Sequence, residues 1–226
     1  MKPGQKRTFT ETARRAQIVS AAIETIAGVG YGQASFAEIA RRAGLSSTGL
    51  ISYHFASKDD LIEQVVDEVV TAGQAFMGPR IEAAEGARSK LRAYLQSNLE
   101  FMASYRAHVV AVAEILSALP RQRGGQPAPY AHWHERGIAQ LQDLLREGQR
   151  GGEFAGFSTR VMAVTIRAAI DAVGYQLAAD PNLDLRATAR ELAVLFDRAT
   201  GSGKPGERAA APAGERRRTN RRTGTR

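Results

Sequence analysis

Apolar residues recur at three- and four-residue steps along nearly all of this chain, and no run alternates apolar with polar at period two. That periodicity is the signature of helices with one buried face, and glycine or proline cuts it into segments. The expected fold class is therefore all-α. Ile18, Ala21, Ala22, Ile26 and Val29 line one face of a first helix over residues 13–28, with Thr12 as its N-cap and Gly28, Gly30 and Gly32 ending it. Ser35, followed by Glu38, reads as a capping box that opens a second short helix carrying Phe36, Ile39, Ala40 and Ala43, which Gly44 closes. Ser46 or Ser47 is the expected cap of a third short helix, where Ile51 and Phe55 share one face. Ser57 caps a longer fourth helix with Asp59 and Asp60 in its first turn, where the helix dipole favours negative charge. Leu61, Ile62, Val65, Val66, Val69 and Val70 give it a wide apolar face, and Gly78 with Pro79 is expected to kink or break it. Further helices are expected near 87–104, 106–118, 128–148, 158–179 and 184–200, with loops at 120–129 and 148–157.

Composition narrows the class. With 43% apolar and 24% charged residues the 226-residue chain can bury a core, which excludes a fibrous or wholly disordered polymer. No stretch approaches the roughly 18 uninterrupted apolar residues of a spanning helix, and the opening residues are basic and polar; the expectation is a cytoplasmic protein without a membrane partner. The absence of cysteine removes disulfides and thiolate chemistry. Charge is uneven: residues 1–58 hold 8 Lys and Arg against 3 Asp and Glu, residues 59–200 hold 15 against 18, and residues 201–226 hold 8 against 2. Basic ends around a mildly acidic middle point to a polyanion, although solvated surface lysines and arginines produce the same count. The last 26 residues have alanine as their only apolar type and are expected to be a disordered basic tail. Residues 1–11 are expected to be a basic arm.

Two short helices joined at Gly44, Leu45 and Ser46 make a helix-turn-helix, whose second helix can enter a DNA major groove. The run SFAEIARRAGLSSTGLISYHFASKDDL, residues 35–61, closely resembles the DNA-binding signature of the tetracycline-repressor (TetR) family of bacterial regulators. The shared features are Ser35, Ile39-Ala40, Ala43-Gly44-Leu45-Ser46, Gly49, Tyr53-His54-Phe55, and Ser57-Lys58 followed by two acids and Leu61. The resemblance covers residues 12–70, a head domain, and is architectural for 71–200. Between Gly44 and Tyr53 the chain is one residue longer than the commonest family spacing, and Ser52 stands where the family often has an aromatic residue.

Side-chain chemistry sorts the roles within this segment. Ile51 and Phe55 belong to the core. Thr48, Gly49 and Leu50 at the helix start can approach base edges, through a hydroxyl or against a thymine methyl. Ser35, Ser47, Tyr53, His54 and Lys58 suit phosphates, with Ser46 and Ser52 beside them on the same candidate DNA-binding segment. Arg14 and Arg15 are candidates for further phosphate contacts. An ordinary cap or a solvated side chain is the alternative for each.

For residues 71–200 the resemblance implies a helical domain that binds a small-molecule effector and forms a homodimer. Stripes of Met162, Ile166, Ile170, Val173 and Leu177, and of Leu185, Leu192, Leu195 and Phe196, are the candidate dimer faces, unless they pack within the subunit. Phe101, Met102, Tyr105, His108, Trp133, His134, Arg167, Asp171 and Tyr175 are candidate ligand contacts, as large or polar groups in the helical middle. Arg167 and Asp171, four residues apart, can equally be an intrahelical ion pair. No metal site or cofactor is expected, since His132 and His134 point to different faces of a helix and lack a third ligand. No HExxH, GxSxG or phosphate-loop pattern occurs, so an enzyme is not expected. The resulting expectation is a dimeric regulator, a repressor released from a palindromic double-stranded DNA site by its ligand. A helical carrier or enzyme with incidental basic ends is the alternative.

Overall fold

A computed structural model describes residues 9–120 and 128–201. The arm up to residue 8, most of the 120–129 connector and the tail from residue 202 lie outside the described residues. Everything described is helix and connecting turn: α1 (Phe9–Val29), α2 (Phe36–Arg42), α3 (Gly49–His54), α4 (Lys58–Glu82), α5 (Gly86–Ser104), α6 (Arg106–Ala118), α7 (Ala128–Arg150), α8 (Thr159–Ala179) and α9 (Leu185–Thr200).

Local signals set most boundaries. The Ser35 hydroxyl accepts from the Glu38 amide at 3.2 Å. Glu38 does not reach back to complete the capping box, because its carboxylate pairs with Arg41 one turn along. At the other end of α2 the Leu45 amide donates to the Ala40 carbonyl and the Gly44 amide to that of Arg41, with Gly44 at φ 65°. This paired closure reverses the chain through a left-handed residue, where glycine escapes the Cβ penalty. Ser57 caps α4 through the Asp60 amide at 3.1 Å, and Asp60 in return accepts from the Ala56 amide at 2.9 Å.

Three expectations about the helices fail, and at Gly78 and Pro79 the chain does not break. Helix α1 already includes Phe9, so Thr12 lies inside it and the basic arm is shorter than residues 1–11. Neither Ser46 nor Ser47 caps α3; Thr48 occupies the N-cap position, without a side-chain hydrogen bond, so the longer spacing is taken up in the turn. Helix α4 runs through Gly78 and Pro79 to Glu82, and the Arg80 guanidinium donates to the Phe76 carbonyl at 2.5 Å across that turn. Val29, at 36% exposure, is outside the core, because α1 ends just as it reaches the surface.

Packing joins the two expected domains. One apolar cluster is built from α1, α2, α3 and α4 together with Phe101, Ala111 and Ile115 of the following helices; the second gathers α5, α7, α8 and α9. Helix α1 packs on α6, and α4 packs on both α1 and α5. The head is therefore seated on the helical domain along α4 and α6. Ile166, Ile170, Val173, Leu177, Leu185 and Phe196, expected on a dimer face, are instead buried inside the subunit, with Met162 and Leu192 half-buried beside them. Of that set only Leu195 is exposed; the outward apolar residues on these two helices are Val161, Val164, Val194 and Leu195.

Candidate DNA-binding surface and helical-domain cavity

Helix α3 is six residues long and is held from behind. Ile51 and Phe55 are 0% and 1% exposed, and the Arg15 guanidinium lies 4.1 Å over the Phe55 ring. Arg15 also donates to the His54 carbonyl and, at 3.0 Å, to Gln64. It is committed to fixing α3 against α1 and α4 rather than to phosphate. Gln17 of α1 adds a second brace, its amide donating to the Ala43 carbonyl at 2.7 Å in the turn.

With its back pinned, α3 turns the expected residues outward. Ser46, Ser47, Thr48, Gly49, Leu50, Ser52 and Tyr53 are all exposed, Tyr53 at 73%. Ser35 is likewise exposed, at the start of α2. His54 is half-buried with its ring edge-on to Tyr53 at 5.1 Å. Lys58 is also half-buried, its ammonium donating to the Tyr31 carbonyl at 3.2 Å and lying 4.3 Å over the Tyr31 ring. No charged residue lies between Ser46 and Ser57. The exposed face of α3 thus offers hydroxyls, a phenol and a leucine and carries no charge of its own.

The second site is a cavity of about 190 Å³ enclosed by α4, α5, α6, α7 and α8. Phe101, Met102, Trp133, His134, Arg167, Asp171 and Tyr175 line it, as the sequence suggested. Tyr105 and His108 do not. Tyr105 sits at the α5–α6 junction with its ring stacked on Phe101 at 4.8 Å, and burial holds the His108 imidazole below its ordinary pKa despite the nearby carboxylates of Glu68 and Glu24. Sequence reasoning missed Tyr94, Asn98 and Tyr130, and the contribution of α4 through Val69, Val70, Gly73 and Met77. Aromatic side chains at helical spacing are usually core, so nothing local marked the two tyrosines. Gly73 lies against the Phe101 ring, and a Cβ there would meet it at an ordinary 3.6 Å.

Arg167 organises the polar end. It donates to the hydroxyls of Tyr94 at 3.1 Å and Tyr130 at 3.2 Å, and pairs with Asp171 one turn along. Asp171 also meets His134 Nε2 at 3.3 Å. Burial works against the Asp171 charge, but Arg167 and the hydrogen bonds from His134 and Arg167 outweigh it and hold the carboxyl below its ordinary pKa. Burial pushes the Tyr130 phenol up to about 12, so it stays protonated. Trp133 donates from Nε1 to Asp67 of α4 at 2.7 Å, tying α7 to the helix that carries the head.

A braced helix-turn-helix with an exposed second helix, seated on a helical domain with a cavity, places the fold in the helix-turn-helix class. Residues 18–65 match the family described as bacterial regulatory proteins, tetR family. That match covers the head, from α1 into α4, and stops short of the helical domain. A curated relative, the HTH-type transcriptional regulator BetI 1 of Chromohalobacter salexigens, is 38% identical over 88 residues, covering 38% of this chain and 43% of that protein. The chain thus spans less than half the length of this curated relative. Among solved structures, the fatty acid degradation regulator FadR from Bacillus halodurans aligns over 85% of this chain and 96% of its own, with TM-score 0.72 and 23% identity. FadR from Bacillus subtilis in complex with stearoyl-CoA aligns over 80% and 96%, with TM-score 0.69 and 23% identity. At these identities the likeness is one of fold, and it extends through the helical domain.

Proposed function

We propose that the protein is a dimeric transcriptional repressor that binds a palindromic DNA site through α3 and leaves it when a small molecule fills the cavity. The observation that carries this reading is the construction of α4. Its first turn is capped beside α3, while Val69, Val70, Gly73 and Met77 further along line the cavity. A ligand that requires even a small shift of α4 alters the placement of α3, and it favours the DNA-free state only by the difference in its affinity for the two states. Tyr53, Ser47 and Lys58 are assigned to the DNA backbone and Thr48, Gly49 and Leu50 to bases. A regulator of this kind works in the cytoplasm.

The outer face of α8 supports the dimer. The helix is apolar on nearly all sides, yet only 33% of its most apolar 18-residue stretch is buried within the subunit. Val161 at 64% and Val164 at 40% exposure on α8, with Val194 and Leu195 exposed on α9, are apolar surface suited to a second copy. The test combines light scattering with fluorescence anisotropy on DNA flanking the protein's own gene. The expected result is a dimer forming a sequence-selective complex that persists as salt is raised. Val164→Glu is expected to give monomers and to lose that complex. A stable wild-type monomer, or binding indifferent to sequence, ends the proposal.

A further inference from the structure

The polar end of the cavity is short of acceptors, and this specifies a ligand class. Arg167 Nε is buried without a hydrogen-bond partner. The Tyr94 and Tyr130 hydroxyls each accept from Arg167, which leaves each phenolic proton free to donate, and neither has an acceptor among the described residues. Two phenolic protons and the guanidinium's own Nε–H are thus the donors at this end. Asp171 faces other partners, with Oδ1 paired to Arg167 and Oδ2 to His134, and no hydrogen bond to either phenol is seen among the described residues. Asn98, anchored by its amide to the Tyr94 carbonyl at 2.7 Å, leaves its side-chain oxygen uncommitted, but it is not bonded to the guanidinium.

Charge then separates the possible acceptors. Arg167 and Asp171 pair with one another, His134 also faces Asp171, and Arg136 on the lining is exposed to solvent. An anionic head entering here would lie beside the Asp171 carboxylate, and a cationic head would lie beside the Arg167 guanidinium and its unpartnered Nε–H. An uncharged carbonyl oxygen meets the donors at no such cost. Val69, Val70, Phe101, Met102, Val112 and Leu116 supply an apolar part of the lining, with Gln74, Gln140 and Tyr175 elsewhere on it.

Resting on the effector reading above, we infer that the cavity binds an apolar molecule whose head is an uncharged oxygen acceptor: a ketone, ester, lactone or amide carbonyl held by Arg167, Tyr94 and Tyr130. In solution water can meet these donors, and a ligand carbonyl replaces it without leaving them unpaired, while an alkyl tail gains the apolar burial that water cannot.

Trp133 is the only tryptophan of the chain and lines the cavity, so its fluorescence reports occupancy independently of DNA. The full chain is titrated with 2-octanone, octanoate and octylammonium, which share a tail and differ in the head. The ketone is expected to bind at least roughly tenfold tighter than either ion. Tyr130→Phe and Tyr94→Phe each remove one donor and are expected to weaken ketone binding roughly three- to tenfold. Equal or tighter binding of either ion, unchanged ketone binding in both folded variants, or no response to any of the three overturns the inference. Anisotropy of the DNA complex, read in the same titrations, separates the two proposals. Ketone binding without DNA release defeats the effector reading and leaves the ligand class standing. Release driven by an ion does the reverse.

Discussion

The two working surfaces of this molecule are built in opposite ways. The face of α3 is outward, uncharged and made of consecutive residues, and its orientation comes from two buried side chains and two braces behind it. The cavity is inward, and its polar end draws on α5, α7 and α8 to surround a single guanidinium with two phenols and a carboxylate. In the first, recognition and stability reside in different residues. In the second they reside in the same ones, because buried polar groups that hold the domain together also face the ligand. Substitutions on α3 are therefore expected to change binding at constant stability, whereas substitutions at the polar end of the cavity change both.

Arg167→Met is the strongest challenge to that contrast. It leaves Asp171 with His134 as its remaining partner and withdraws the donor from both phenols, and breaking a buried pair this way costs about 3–5 kcal/mol. Urea unfolding followed by Trp133 fluorescence would measure it; a loss below about 1 kcal/mol would show that the cluster serves binding alone. Acid provides a milder version of the same perturbation. Asp171 has a folded-state pKa below its unfolded value, so its contribution is present above the ordinary carboxylate range near pH 4 and is lost as pH falls through the folded value.

A pair of glycines sharpens the comparison at intermediate effect. At Gly148, on α7, a Cβ would come within 2.2 Å of the Phe154 ring and 2.8 Å of the Ala87 Cβ, so Gly148→Ala must push helices apart and is expected to cost about 3 kcal/mol. At Gly44 nothing lies within 4 Å of such a Cβ, and the cost of Gly44→Ala is that of the left-handed backbone alone, about 1–2 kcal/mol. Thermal unfolding of the two variants checks the order. A reversed order would mean that α5 and α7 are not packed as tightly as the backbone indicates.

What could be read from the sequence follows the same division. Gly44, the Ser35 and Ser57 caps and the Ile51–Phe55 spacing act within a few residues, so the head and its outward face were legible from the chain. The five later helices were placed to within two residues, for the same local reasons. Arg167, Asp171 and Trp133 were visible as unusual residues, but the phenols that complete the cavity meet Arg167 across 73 and 37 positions of sequence, and no short pattern encodes that. The α8 and α9 stripes failed as a dimer face for the complementary reason. Periodicity shows that a face is buried, and it carries no information on whether the covering surface belongs to the same subunit.

The smallest expected effect on stability tests the outward half of the comparison. Tyr53 is 73% exposed and its ring meets only His54, so Tyr53→Ala removes little packing and should change unfolding by no more than about 0.5 kcal/mol. Thr48→Ala should be equally mild, because the threonine hydroxyl makes no capping bond that alanine would lose. DNA affinity separates the two. Loss of Tyr53 should weaken binding to every sequence to a similar degree, as for a backbone contact, and loss of Thr48 should alter the ranking of operator variants, as for a base contact. Anisotropy against a set of single-base operator variants measures both. If Tyr53→Ala reordered the variants and Thr48→Ala lowered them all alike, the added turn residue would have rotated α3 in the groove, and Tyr53 rather than Thr48 would face the bases.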